Sequence, residues 1–110
     1  MNCAVKLVVG YEKPCIGPGL VALLEEIEDS SSVMEACSRM EISYSKAWKL
    51  IRQAEEGLGK QLVIRKSGGN NGGKAELTDF AKSFIRKFRK TEKQVCRYAQ
   101  RTILKNFVQE

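Results

Sequence analysis

The sequence predicts a mainly α fold with small β elements. Apolar residues recur at helical spacing in four separate stretches. Serine or threonine stands where three of these stretches begin, as helix N-caps do. Short β-branched or apolar runs face each other across turns at the N-terminus and around residues 62–77.

In chain order, Ala4 to Val9 reads as a strand, and Gly10 to Pro14 as a turn that lets Cys15-Ile16 pair back in an N-terminal β-hairpin. Gly17-Pro18-Gly19 breaks the chain, with Pro18 suited to a first helical turn. Leu20, Leu23, Leu24 and Ile27 then give an amphipathic helix over 18–28 with an acidic outer face. Ser32 followed by Glu35 is a capping-box pattern that opens a short second helix, about Val33 to Met40. Glu41-Ile42-Ser43 interrupts it. Ser43 or Ser45 caps a third helix, which Gly59 stops after Leu58. Leu62 to Arg65 is a short strand, Ser67 to Gly73 a loop with no apolar residue, and Lys74 to Leu77 the returning strand. Thr78 caps a last helix from Asp79 to about Phe107, with an apolar stripe of Ala81, Phe84, Phe88, Val95, Tyr98 or Ala99, and Ile103.

At 110 residues the chain has material for one core, so residues 1–110 are expected to form a single domain. No apolar run approaches the roughly 20 residues of a membrane span, and the N-terminus lacks the basic leader of a signal peptide. A cytoplasmic location is the expectation. The cysteines, Cys3, Cys15, Cys37 and Cys96, form no CxxC pair and have no histidine to complete a zinc site. They are expected to be reduced, mostly buried thiols, the alternative being a Cys3–Cys15 bridge across the hairpin. Without histidine or a recognisable carboxylate pair, no enzyme is expected, and no metal or cofactor.

The charge is unevenly placed. Residues 1–42 carry three basic against seven acidic side chains, a net −4; residues 43–110 carry the other 16 basic against six acidic, a net +10. A basic part of this kind favours a polyanion, nucleic acid before membrane.

Two short helices joined by a three-residue turn read as a helix-turn-helix over 32–58. Ala36, Met40, Ile42, Ala47 and Leu50 would hold the pair together, with the small Cys37 at the close crossing. On the third helix, Ala47, Ile51, Ala54 and Leu58 share the core face, while Ser45, Lys49, Arg52 and Glu56 point the opposite way. Lys46 and Gln53 flank that outer face, and Tyr44 and Trp48 lie on the other flank, placed to brace the helix. Side chains of this kind contact phosphates and base edges in a major groove, and the free amides of the helix N-terminus near Ser43 suit a phosphate. The hairpin over 62–77 then reads as a wing. Arg65, Lys66 and Lys74 flank its loop and supply charge, and Asn70 and Asn71 at its tip supply hydrogen-bond donors. The loop has no GxxxxGK[ST] pattern, which argues against a nucleotide cradle.

Three segments together resemble a known family: Gly17-Pro18-Gly19, Ile42-Ser-Tyr-Ser-Lys-Ala-Trp48, and Leu62-Val-Ile-Arg65 followed by a glycine-rich stretch ending in Leu77-Thr78. They look like the N-terminal DNA-binding domain of ModE-type molybdate-responsive transcriptional regulators, a winged helix related to the LysR type. The resemblance covers about residues 4–105 and implies a dimer, formed partly through the long C-terminal helix, on a two-fold related operator. It implies DNA contacts at Ser43, Tyr44, Ser45, Lys46 and Lys49, and in the wing. The oxyanion-binding domains of full-length regulators have no counterpart in these residues, so molybdate binding is not expected of them. Glu41 departs from the pattern, standing where such motifs often have glycine.

The last helix, 79–107, supports the dimer from its own pattern. Ala81, Phe88 and Val95 are spaced by seven, as are Phe84, Thr91 and Tyr98. The expected function is a dimeric regulator bound to double-stranded DNA, with no ligand-sensing domain in this chain. A non-specific or architectural nucleic-acid-binding protein, or a winged-helix protein-interaction module, would use the same elements.

Overall fold

The computed structural model describes residues 1–66 and 74–108. Proline opens the first helix, α1 (Pro18–Ser30), and Ser31 closes it in the left-handed region at φ 57°, its N–H donating to the Ile27 carbonyl. Ser32 caps α2 (Val33–Met40), its hydroxyl accepting from the Glu35 N–H at 3.0 Å. Ser43 caps α3 (Tyr44–Leu58) in the same way through the Lys46 N–H at 3.1 Å. Gly59, at φ 65°, ends α3 in a conformation that glycine adopts without a Cβ penalty. Strands β1 (Val63–Arg65) and β2 (Ala75–Leu77) pair antiparallel, Val63 opposite Leu77 and Arg65 opposite Ala75. Thr78 caps α4 (Asp79–Ile103), and the chain then widens into a π-helical turn over Leu104–Val108.

The capping serines and threonine stand where the sequence places them because each satisfies an amide that the first helical turn leaves without a backbone partner. Glu41 ends α2 at φ 57°, ψ 43°, its N–H directed at the carbonyls of Cys37 and Ser38. Glutamate therefore takes the left-handed geometry that a glycine would take, and the turn between α2 and α3 keeps its form.

The helices close on one apolar core. α1 contributes most, with Val21, Leu23, Leu24 and Ile27 fully buried; Ala36 of α2, and Ala47 and Ile51 of α3, pack with it. Met40, Ile42 and Leu50 are partly buried at its edge. The strands join this core through Val63, Ala75 and Leu77. Two further ties fix the hairpin. The Glu55 carboxylate of α3 accepts from the amides of Leu62 and Val63 at 2.8 and 3.3 Å. On the β2 side, the Ala75 N–H donates to the Ser31 carbonyl at 3.0 Å, and Ser32 bridges Lys74. The base of the hairpin is thus bonded to α3 on one side and to the α1–α2 turn on the other.

Four expectations are corrected. The N-terminal hairpin shrinks to a single antiparallel bridge between Val9 and Ile16, and residues 4–8 form no strand. The return arm has only Cys15-Ile16 before Gly17-Pro18 turns the chain into α1, so nothing is left to pair with the earlier residues. α1 runs to Ser30 rather than residue 28, whereas the last helix keeps its expected reach, α-helical to Ile103 and π-helical over Leu104–Val108. Within α4 the buried residues are Ala81, Ile85 and Phe88, with Phe84 only partly covered, so the buried stripe turns through Ile85. The cysteines are free thiols but not mostly buried: only Cys37 is buried, Cys3 and Cys15 are half-buried, and Cys96, on the part of α4 beyond the core, is exposed. Cys3 lies near Gln100, Sγ to Oε1 3.5 Å, and not in a bridge to Cys15.

No residue of α4 beyond Phe88 is buried. Tyr98 and Phe107 are each 67% exposed. The radius of gyration, 16.7 Å, exceeds the about 13 Å expected of a compact domain of this length. The longest extent, 64 Å, reflects a helix that outruns its own core. Arg89 anchors that helix where it leaves the core, reaching Glu25 of α1 through two bonds of 2.7 and 3.0 Å and Glu92 at 2.8 Å. Those bonds, to Glu25 first and then Glu92, raise the guanidinium pKa above its ordinary value. Among the described residues no helix is long and apolar enough to cross a membrane.

Candidate nucleic-acid interface

The amphipathic pattern of α3 decides which side chains stay outside. Ala47, Ile51, Ala54 and Leu58 turn into the core, which leaves Ser45, Lys46, Lys49, Arg52 and Gln53 exposed. Ser43 is exposed as well, but its hydroxyl is already engaged as the α3 cap and lies 3.5 Å from Ser45 Oγ. The N-terminal turn of α3 carries no acidic residue, so its positive dipole end stays open to an anion.

The Glu55 bonds hold β1 beside α3, and this brings Arg65 over the helix. The Arg65 guanidinium carbon lies 4.3 Å from the centre of the Trp48 ring, and that of Arg52 lies 5.7 Å from it. Tyr44 meets the same indole edge-on, with ring centres 6.4 Å apart. A shallow groove of about 420 Å³ runs along this junction, lined by Tyr44, Ser45, Trp48, Lys49, Arg52, Gln53, Glu56 and Arg65. Six residues expected to touch DNA, Tyr44, Ser45, Lys49, Arg52, Gln53 and Arg65, therefore line one groove. Lys46 and Ser43 sit beside it at the helix start.

The wing residues divide. Lys66 pairs with Glu76 across the strands at 2.9 Å, which partly neutralises it. Lys74 is exposed immediately before β2. Asn70 and Asn71 lie outside the described residues, as does the rest of 67–73. Among the described residues, Lys46, Lys49, Arg52, Arg65 and Lys74 have no carboxylate within ion-pair distance. Arg39, by contrast, is enclosed by Asp29 at 2.7 Å, Glu26 at 2.9 Å and Glu35 at 3.6 Å. Its pKa is raised above the ordinary value by bonds to Asp29 and then Glu26. Uncommitted cations among the described residues thus line α3 and the wing base, and a second set, Lys82, Arg86, Lys87, Lys90, Lys93, Arg97 and Arg101, runs along α4.

Sequence reasoning assigned Trp48 only a bracing part, and the structure places it at the centre of the cationic groove. The signal was present: Tyr44, Trp48 and Arg52 follow one another at i, i+4, one continuous row on a helix. What the row did not reveal is that Arg65, thirteen residues further along from Arg52, returns to the same ring.

Residues 19–82 match the family described as bacterial regulatory helix-turn-helix protein, lysR family. The chain belongs to this LysR family. The matched segment contains every element described above from α1 to the first turn of α4. Among curated proteins, the LysR-family chain resembles the molybdenum transport protein ModE of Azotobacter vinelandii, 33% identical over 72 residues. It also resembles the transcriptional regulator ModE of Haemophilus influenzae, 33% identical over 70 residues. These matches cover 66% and 64% of the chain but only 27% and 28% of the relatives, so they span about a quarter of each relative's length. Among solved structures, the CbnR_DBD–DNA complex superposes with a TM-score of 0.60 at 18% identity, covering 76% of this chain and 91% of that one. CbnR, a LysR family transcriptional regulator, gives a TM-score of 0.59 at 19% identity, covering 78% of this chain and 28% of that one. The likeness to CbnR is one of fold: a winged helix followed by a long C-terminal helix.

Proposed function

We propose that this chain is a DNA-binding transcriptional regulator whose residues 1–110 act as one winged helix-turn-helix unit and which reads a two-fold related operator as a dimer. The observation that carries the reading is the row of cations, Lys46, Lys49 and Arg52, unpaired among the described residues on a helix whose N-terminus is open and whose opposite face is committed to the core, with Arg65 of β1 beside it. α3 lies in a major groove, with Lys49, Arg52 and Gln53 facing base edges and phosphates. Ser43, Tyr44, Ser45 and Lys46 meet the backbone at the helix start. The wing, with Arg65, Lys66, Asn70, Asn71 and Lys74, meets the adjoining backbone or minor groove. Sequence specificity resides in α3, because phosphate contacts carry register but no base information.

The dimer rests on α4. Beyond Phe88 its Val95, Ala99, Thr102 and Ile103 are half-buried and Tyr98 exposed, which leaves apolar surface that the described residues do not fully cover. Pairing with a second copy would cover it and place two α3 helices on successive half-sites about one helical turn of DNA apart. The relatives' names support the regulatory part of the reading. Molybdate or another effector forms no part of it.

Selection of bound duplexes from a random-sequence pool tests the whole reading. The expected result is an inverted repeat with a fixed spacing. Binding without sequence preference would mean an architectural protein instead, and no binding at low salt would mean a protein-interaction module.

A further inference from the structure

We propose that Trp48 is a positioning residue for DNA binding: its ring face seats Arg65, and with it the base of the wing, against α3, so that α3 and Arg65 meet DNA as one preformed surface. The inference rests on the DNA-binding reading above and adds a residue that makes no contact with DNA in it.

The chemistry of Trp48 points this way. The side chain is 8% exposed, yet its Nε1 is buried with no hydrogen-bond partner among the described residues. An indole N–H in that state is a cost that leucine or phenylalanine would not carry. What the site uses is the ring. Indole has the strongest face for a cation among the aromatic side chains, and two guanidinium groups lie within 6 Å of its centre, Arg65 at 4.3 Å and Arg52 at 5.7 Å. Tyr44 packs edge-on against the indole. Arginine is suited to such a seat because its planar group stacks while its N–H edges stay free for phosphate. A cation already ordered in the unbound protein loses less freedom when it meets a phosphate. Arg65 is also the last residue of β1, so fixing its side chain fixes the point from which the wing departs.

The test exploits the difference between charge and seating. Binding to a mixed-sequence duplex of about 30 base pairs is measured over a range of salt, because each lost phosphate contact lowers the salt slope by about 0.9. Arg65→Gln is expected to weaken binding and lower that slope. Arg65→Lys keeps the charge but stacks poorly, and Trp48→Leu removes the ring; both are expected to weaken binding by about 3- to 10-fold with the slope unchanged. Trp48→Phe is expected to recover most of the loss. In the Trp48→Leu background, Arg65→Lys should have no further effect. Trp48 is the sole tryptophan of the chain, so its emission reads the contact directly: it should change in unbound Arg65→Gln, whose exposed substitution leaves the core intact. Should Trp48→Leu fail to fold, the two Arg65 variants and this emission carry the test. Wild-type affinity in Arg65→Lys, or unchanged emission in Arg65→Gln, overturns the seating while leaving DNA binding standing. Absence of binding by the wild-type protein at low salt overturns both.

Discussion

Replacing Glu41 by glycine should stabilise the protein, although it deletes a side chain. Glu41 holds φ 57°, ψ 43° at the end of α2, where the Cβ of an L-residue costs roughly 1–2 kcal/mol. Its carboxylate also stands at the negative end of the α2 dipole, an unfavourable placement of about 0.3–1 kcal/mol. No ion pair within the described residues compensates for it. Against these gains, glycine enlarges the unfolded ensemble at a cost of about 0.5–1 kcal/mol. The balance is a net stabilisation of about 1 kcal/mol, or some 4–8 °C in midpoint for a domain of this size. Thermal unfolding followed by circular dichroism measures it, with Glu41→Ala as control. Alanine removes the charge but keeps the Cβ, so it should gain only the dipole part. A Glu41→Gly protein no more stable than Glu41→Ala would refute the claim that the left-handed turn is strained. Both variants also remove a negative charge next to the N-terminus of α3 and should tighten binding to duplex DNA modestly at low salt.

Three other outcomes are expected. Lys46→Ala and Lys49→Ala should each weaken DNA binding and lower the salt slope by about 0.9, with unfolding midpoints unchanged because both side chains are exposed and unpaired. Tyr98→Glu combined with Phe107→Glu should shift sedimentation equilibrium at tens of micromolar towards monomer without loss of helical signal, since both residues lie beyond the domain's own core. Cys96, exposed, should react with a thiol reagent well before Cys37; burial raises the Cys37 pKa and so lowers its thiolate fraction at neutral pH.

Local signals explain why the helical frame was legible in the sequence. Ser32, Ser43 and Thr78 each cap a helix through a bond three residues on, and Ala47, Ile51, Ala54 and Leu58 repeat the helical period. Such features depend on neighbours within one turn. The errors fall where the outcome depends on distant chain. The run Ala4 to Val9 has strand composition, but a strand needs a partner, and Gly17-Pro18 removes it after a single bridge. In α4 both Phe84 and Ile85 are apolar, and which of them is buried depends on how α4 packs on the rest of the core; Ile85 is buried and Phe84 only partly covered. The outward face of α3 was readable from its periodicity, whereas the contact of Arg65 with Trp48 required the strand to be brought back to the helix. Lys66 shows the same limit: its cross-strand partner Glu76 is visible only once the register is known.

The Arg89–Glu25 clamp stands where α4 leaves the core. From Phe88, the last buried residue, to Ile103 the helix extends for about 22 Å at the usual rise. A swing of only about 10° at the clamp would displace the far end by about 4 Å, close to the 3.4 Å step between successive base pairs. If two copies join along that lever, its bearing becomes a ruler for the distance between their reading heads. An error of one base pair in half-site spacing would then correspond to the loosening of one arginine.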